Sequence, residues 1–329
     1  MMGQATFEAR HAADWQAFEA WLDTRTRRRT RRGETPVAAL PDDDMPAAYR
    51  ALCQHLALAR DRQYSPDLVD RLNQLALRGH HALYGARGSS RADAIEFFLR
   101  GFPRLVRTEW RLVLAACLAF FGPMALVFVA LQAYPDAVYY LLDPRQIAQM
   151  EAMYDPANRR IGMRDADDNV AMFAFYIWNN VKIGFQTFAG GVAFGLGTVF
   201  FLVFNAFNIG AVAAHLTNVG SGEPFWSFVS GHSAMELVAI ALSGAAGLRL
   251  GMAVIAPGRR TRKAALVDAA RIAVRLMIGA ASMFVIAAFI EGFWSPQRAV
   301  AAPTKYAIGI ALWALVIGYL VLAGRDRAR

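Results

Sequence analysis

The chain has 329 residues, 56% of them hydrophobic and only 19% charged, a balance that an ordinary water-soluble surface does not tolerate. Its formal net charge of +9 could point to nucleic acid, but in a membrane protein basic residues gather on the cytoplasmic side for insertion alone, so no nucleic-acid partner is expected. The two cysteines, Cys53 and Cys117, are too few for a disulfide framework or a cysteine metal cluster, and no cofactor or metal is assigned.

The first residues lack the basic start and apolar core of a secretory signal, which predicts that the N-terminal part stays in the cytoplasm. Phe7, Trp15, Phe18 and Leu22 recur at helical spacing and predict an amphipathic helix in need of partners. Asp44 ahead of Met45-Pro46 opens a second helix with Tyr49, Leu52, Cys53 and Leu56 on one stripe, and Ser65-Pro66 opens a third with Leu68, Leu72 and Leu75. Between the first two, residues 25–32 hold six arginines, Arg25, Arg27, Arg28, Arg29, Arg31 and Arg32. Near a bilayer such a cluster can hold anionic lipid headgroups at about 1 kcal/mol per basic residue, although a solvated helix end that supports topology explains it equally well.

Ser90 and Asp93 stand at capping-box spacing before Phe97, Phe98, Leu99, Phe102 and Leu105, which alternate with Arg100, Arg104, Arg107 and Arg111. That pattern predicts a helix in the membrane interface, bent at Pro103, ahead of the first span. Residues 112–131 then run for twenty positions without a charge or a histidine, about 30 Å as a helix, which is the thickness of a bilayer core. The chain is therefore divided into a cytoplasmic helical part with its interfacial helix, 1–103, and a transmembrane part, 104–329.

Residues 133–169 carry four basic against seven acidic side chains and read as an outer segment, whereas Arg259, Arg260, Arg262 and Lys263 place the later loop in the cytoplasm. An odd number of crossings must separate them. Residues 183–222 contain forty positions without Lys, Arg, Asp or Glu, about twice a bilayer thickness, so the helix must break. A break at Gly190-Gly191 gives passes near 171–189, 191–214 and 228–253; the alternative lays 171–189 on the surface and makes the segment around Ser230-Gly231-His232 re-entrant. With further passes near 272–291 and 306–323, the expected architecture is an all-α polytopic protein of about six passes in the bacterial inner membrane, both termini cytoplasmic.

Polar side chains inside the apolar stretches are the functional candidates, since an unpaired one costs roughly 2.5 to 3.5 kcal/mol even on gentle insertion scales. They are Asn179, Asn180, Lys182 and Gln186, then Asn205, Asn208 and His215, then His232, Glu236 and Arg249, with Arg275 and Glu291 at the two ends of the fifth pass. His232 and Glu236 are four apart and share a helix face, where they could bind a cation or relay a proton. Ser233-Ala-Met-Glu236 is equally a capping-box pattern, with His232 merely preceding the helix. Asn179, Asn180, Lys182, Asn205, Asn208 and His215 complete the candidate polar site. Gly191 and Gly195, like Gly247 and Gly251, are four apart and suit close helix packing, within the chain or in a homodimer. The Gly231-His-Ser233-Ala-Met235 stretch lacks the last glycine and the strand of a nucleophile elbow, and no zinc-protease, phosphate-loop or dinucleotide motif is present. A metal-dependent hydrolase built from His215, His232 and Glu236 is conceivable, but a non-enzymatic protein is expected.

Trp178-Asn-Asn180, Gly190-Gly191-Val-Ala-Phe-Gly195, Asn205 followed by Gly210, and His232 with Glu236 ahead of Gly247-Leu-Arg-Leu-Gly251 together resemble the stage II sporulation protein M family over roughly residues 100 to 325. The N-terminal arginine-rich segment looks like the cytoplasmic extension of non-sporulating bacterial members. Two positions depart from the family pattern: Gly231-His232-Ser233 stands where Pro-His-Gly is common, and Ala206 follows Asn205 in place of Gly. The resemblance implies a membrane anchor for peptidoglycan-degrading partners in spore formers, and elsewhere a complex that includes an AAA-type ATPase and von Willebrand A-like proteins. Two functions are carried forward, a non-enzymatic scaffold or anchor in a membrane-associated complex and a transporter or channel component with a polar intramembrane site.

Overall fold

The computed structural model describes residues 3–26, 41–84, 91–157, 166–297 and 299–325, and among them every regular element is a helix. The chain forms two compact units, Met1–Ala92 and Asp93–Arg329.

The first unit is a three-helix assembly of α1 (Gln4–Thr26), α2 (Met45–Asp61) and α3 (Pro66–Tyr84), with the predicted starts at Met45 and Pro66. Phe7, Trp15, Phe18 and Leu22 of α1 meet Leu52 and Leu56 of α2 and Leu68, Leu72 and Leu75 of α3 in one buried core. Each stripe is useless alone in water, and three together exclude it. Gln4 fastens the start of α3: its Nε2 donates to Ser65 Oγ at 2.8 Å, and its Oε1 accepts from Ser65 N at 2.9 Å. Of the arginines expected to meet lipid headgroups, Arg27, Arg28, Arg29, Arg31 and Arg32 lie outside the described residues, as does the Arg25 side chain.

α4 (Arg91–Glu96), whose last four residues open the second unit, passes through a π turn at Phe97–Gly101 into α5 (Phe102–Thr108). Pro103 has no N–H to give the preceding turn, and the wider turn lies just ahead of it. Besides its apolar–arginine alternation, α5 packs across one end of the bundle: Phe102 is fully buried against Gly279, and Arg107 Nη1 donates to the Leu320 carbonyl at 2.8 Å.

Among the described residues, five helices are long and apolar enough to cross a membrane: α6 (Trp110–Ala133), α10 (Leu196–Asn218), α12 (Ser233–Ile255), the stretch Arg262–Trp294 that begins with α13 (Arg262–Phe289), and α14 (Ala302–Leu322). The expected pass at 171–189 is present as a helix, α9 (Ala166–Ala189), but is not one of these five, because Asn179, Asn180, Lys182 and Gln186 interrupt its apolar surface. The break falls where expected: α9 ends at Ala189, a 3-10 turn covers Gly190–Val192, and Phe194 and Gly195 adopt positive φ of 54° and 78° before α10 begins. The Ser230–His232 segment is a short link between α11 (Gly222–Val229) and α12.

Contacts fix the helix directions. Glu109, just before α6, lies 3.8 Å from Arg249 near the end of α12, while Asn218 Nδ2 at the end of α10 donates to the Leu131 carbonyl at the end of α6. α6 and α10 therefore run together and opposite to α12. Phe284 abuts Gly184 and Phe173 abuts Gly292, so α13 runs opposite to α9; Gly309 abuts Ser230 at the start of α14. Thus α6, α10 and α13 point one way, and α9, α12 and α14 the other. Between α6 and α9, α7 (Val138–Leu141) and α8 (Pro144–Tyr154) cap the far end of the α6–α10 pair.

Candidate functional site

The site begins where α12 begins. The capping box expected at Ser233 and Glu236 does not form: His232 occupies the capping position and no side chain caps the helix end. Ser233 Oγ instead accepts from Trp313 Nε1 at 3.2 Å, and Glu236 is released to face His232, with Oε2 3.7 Å from the histidine Nε2. Gly231 makes this start possible, since a Cβ there would stand 2.1 Å from the Trp294 ring.

The other half of the site comes from the end of α13. There the helix widens into a π turn at Ile290–Trp294, closed by Ser295 N donating to the Ile290 carbonyl at 2.8 Å. Ser295, 1% exposed, places its Oγ 3.1 Å from His232 Nδ1. Its carbonyl accepts from the buried Lys305 Nζ at 2.7 Å, and that ammonium also lies 5.9 Å from the centre of the Trp294 ring. Glu291, on the π turn, completes a group in which one ligand atom each of His232, Glu236 and Glu291 lies within 4.8 Å of the others.

Beside them stands Asn180 of α9, 2% exposed, its amide turned toward Glu291. Asn180 Nδ2 and Glu291 Oε2, both buried, make no hydrogen bond of good geometry, although the two side chains are near enough to interact. Two carboxylates this close in a largely apolar surrounding repel, and a proton or a cation between them relieves that repulsion, with Glu236 still 19% exposed toward the cavity.

The group forms part of the wall of a cavity of about 910 Å³, which is otherwise lined mainly by apolar side chains such as Met124, Phe128, Phe225, Val229 and Trp313. A volume of this order holds a small molecule or the head of an amphiphile.

The remaining expected site residues are dispersed. Asn208 lines the same cavity and accepts from Gln146 Nε2 at 3.4 Å, while Asn205 donates to the Phe201 carbonyl of its own helix at 2.7 Å. Asn179 donates to Asn180 Oδ1 at 3.4 Å, and Lys182 is exposed on α9. His215 is buried elsewhere, its Nε2 2.7 Å from Glu151 Oε1 of α8, so it does not join His232 and Glu236. The paired glycines do pack helices, within one chain: Gly191 lies against Gly247, and Gly195 against Gly251. Sequence reasoning set Glu291 among the intramembrane polar residues but not in the site, and passed over Ser295 and Lys305. The signal for Glu291 was its rarity, an acid at the end of an otherwise apolar run.

Residues 114–296, more than half of the chain, match the family model of Stage II sporulation protein M, and residues 5–85 match a domain of unknown function (DUF8413). An uncharacterized protein of Methanocaldococcus jannaschii is 30% identical over 133 residues, covering 39% of this chain and 72% of that protein. No solved structure matches.

Proposed function

The chain belongs to the stage II sporulation protein M family, and from that premise we propose that it acts as a multi-pass transport component that holds a small cationic or amphiphilic ligand inside its helical bundle. One observation carries this reading: the apolar cavity of about 910 Å³ has His232, Glu236 and Glu291 together on its wall. Carboxylates at membrane depth are expensive and mark ligand or ion paths, and sites of this kind gather at interrupted helices. Here the interruptions are the link before α12 and the π turn that ends α13. With α9 taken as a sixth crossing, the arginines of 259–262 put both termini on the cytoplasmic side.

The test is ligand retention and flux. Native mass spectrometry of the chain extracted in mild detergent should show a bound small molecule. Val229→Trp, which fills the cavity, and Glu236→Gln should each remove it and stop uptake into proteoliposomes at unchanged melting temperature. Retention of the same molecule by both variants would sink the reading.

The two-unit build supports a second reading, a non-enzymatic scaffold or anchor. Residues 5–85 match a domain model of their own and fold around their own core. In this reading the first unit docks a partner such as an AAA-type ATPase or a cell-wall enzyme, and a pull-down should lose that partner when residues 1–92 are deleted.

A further inference from the structure

We propose that His232, Glu236 and Glu291 form a binding site for a divalent transition-metal ion of the zinc class, with a coordination position open to the cavity. This deepens the transport reading, on which it rests in taking the polar wall as the ligand site, by naming the ion held there.

The spacing suits an ion better than direct contact. At 3.7 Å, His232 Nε2 and Glu236 Oε2 are too far apart for a good hydrogen bond, and the whole group spans no more than 4.8 Å. Ligands about 2.0 to 2.2 Å from a shared zinc ion stand roughly 3.4 Å apart in tetrahedral geometry and at most about 4.4 Å, so the group closes on an ion with side-chain shifts of no more than a few tenths of an ångström. His232 and Glu236 share one face because they are one helical turn apart, and the π turn supplies Glu291 from the facing helix.

The histidine is held as a metal ligand is held. Its Nδ1 is engaged by the buried Ser295 Oγ at 3.1 Å, which leaves Nε2 directed to the carboxylates. With Nδ1–H donating to Ser295, the lone pair of Nε2 is free for an ion, the arrangement that orients ligating imidazoles generally. Ser295 is itself fixed by Lys305 through its carbonyl.

Two buried polar atoms beside the group lack hydrogen bonds of good geometry, Glu291 Oε2 and Nδ2 of the 2%-exposed Asn180. An ion gives the first a partner, and a water on that ion gives the second an acceptor. The donor set of one imidazole and two carboxylates selects the ion class. It suits Zn²⁺, Mn²⁺, Fe²⁺ or Co²⁺ over Ca²⁺ and Mg²⁺, which prefer oxygen alone, and over Cu⁺, which prefers sulfur. Three protein ligands leave a position for water or for the ligand in the cavity, as in exchangeable rather than purely structural zinc sites.

The experiment is equilibrium binding of Zn²⁺ to the full-length chain in mild detergent after chelator treatment, by isothermal titration calorimetry with metal content checked by mass spectrometry. One high-affinity site per chain is expected, undisturbed by millimolar Mg²⁺. Glu236→Gln and Glu291→Gln, which barely change side-chain volume, should weaken it at least about 100-fold while the melting temperature of the metal-free protein is retained. Ser295→Ala should weaken it about 10- to 100-fold as a positioning residue, and Ser295→Thr should restore it. His215→Ala, outside the group and paired instead with Glu151, should bind like the unaltered chain. A folded chain that takes up no Zn²⁺ would leave a shared proton between the carboxylates and overturn the proposal; so would Zn²⁺ binding that Glu291→Gln leaves intact. Zinc binding without flux or cavity ligand removes the transport reading alone, and a cavity ligand without zinc removes this proposal alone.

Discussion

Gly191 and Gly247 touch backbone to backbone: a Cβ on Gly191 would stand 2.1 Å from the Gly247 carbonyl oxygen. Close approach of this kind is how helices associate in lipid, where apolar side chains gain little by leaving the solvent. It seats the turn after α9 on α12. Gly191→Val and Gly247→Val should each destabilise the membrane unit by about 3 kcal/mol or more, since backbone cannot move aside as a side chain can. Gly122 and Gly318, where an added Cβ would meet nothing within 4 Å, are the controls; Ala at either should be neutral or stabilising by about 0.5 to 1 kcal/mol. Unfolding titrations in mixed micelles measure both.

Lys305 is 6% exposed, and its ammonium donates to the Ser295 carbonyl at 2.7 Å. Lys305→Met keeps the length of the side chain and removes the donor, leaving a buried carbonyl unsatisfied at a cost of about 1 to 3 kcal/mol. The expected result is that loss of stability, with faster hydrogen exchange confined to residues 290–297.

His215 and Glu151 make an equally short contact, 2.7 Å, yet the Glu151 side chain is 44% exposed, and a pair so open to its surroundings contributes little. Glu151→Gln, which breaks the pair without emptying the buried His215 position, should cost less than about 1 kcal/mol overall. Hydrogen exchange should still quicken in α8, because this contact ties α8 to α10.

In the first unit His55 has its proton affinity lowered below the ordinary value of 6.5, first by burial and then by the neighbouring His11, with Asp14 opposing. Trp15 Nε1 donates to His55 Nδ1 at 3.1 Å, which requires that nitrogen to be unprotonated. The unfolded chain therefore binds the proton more readily than the folded one, so the unit loses stability as pH falls through about 6.5 and regains it above. Protection factors in α1, α2 and α3, taken against the intrinsic exchange rate at each pH, should fall on acidification to pH 5, and His55→Gln should flatten that dependence.

The helices of the first unit were legible because each carries its own evidence: an apolar stripe of period 3.6 and, at Met45-Pro46 and Ser65-Pro66, a start signal. The break at Gly190-Gly191 was legible because a run of forty uncharged residues is too long for one bilayer. The pairing of Gly191 with Gly247 was legible only as small-residue spacing; the partner is set by where α10 turns back. Ser233-Ala-Met-Glu236 reads both as a helix cap and as the start of a shared polar face; in the fold no cap forms and Glu236 faces His232, an outcome set by the approach of α13 and not by the four residues alone. Glu291 stands 55 positions after Glu236, and no local pattern joins two residues whose meeting depends on a turn of unusual pitch.

That turn has an evolutionary corollary. A π turn is an α-helix with one residue inserted, and the insertion swings the following side chains by about 100° around the axis. Deleting a single residue from Ile290–Trp294 would restore the ordinary pitch, carry Ser295 off His232 and rotate the acid out of the group while leaving the rest of α13 in its groove. Relatives that share the bundle can thus differ in whether they hold this polar group through one codon gained or lost, a change that a comparison of residue identities alone would overlook.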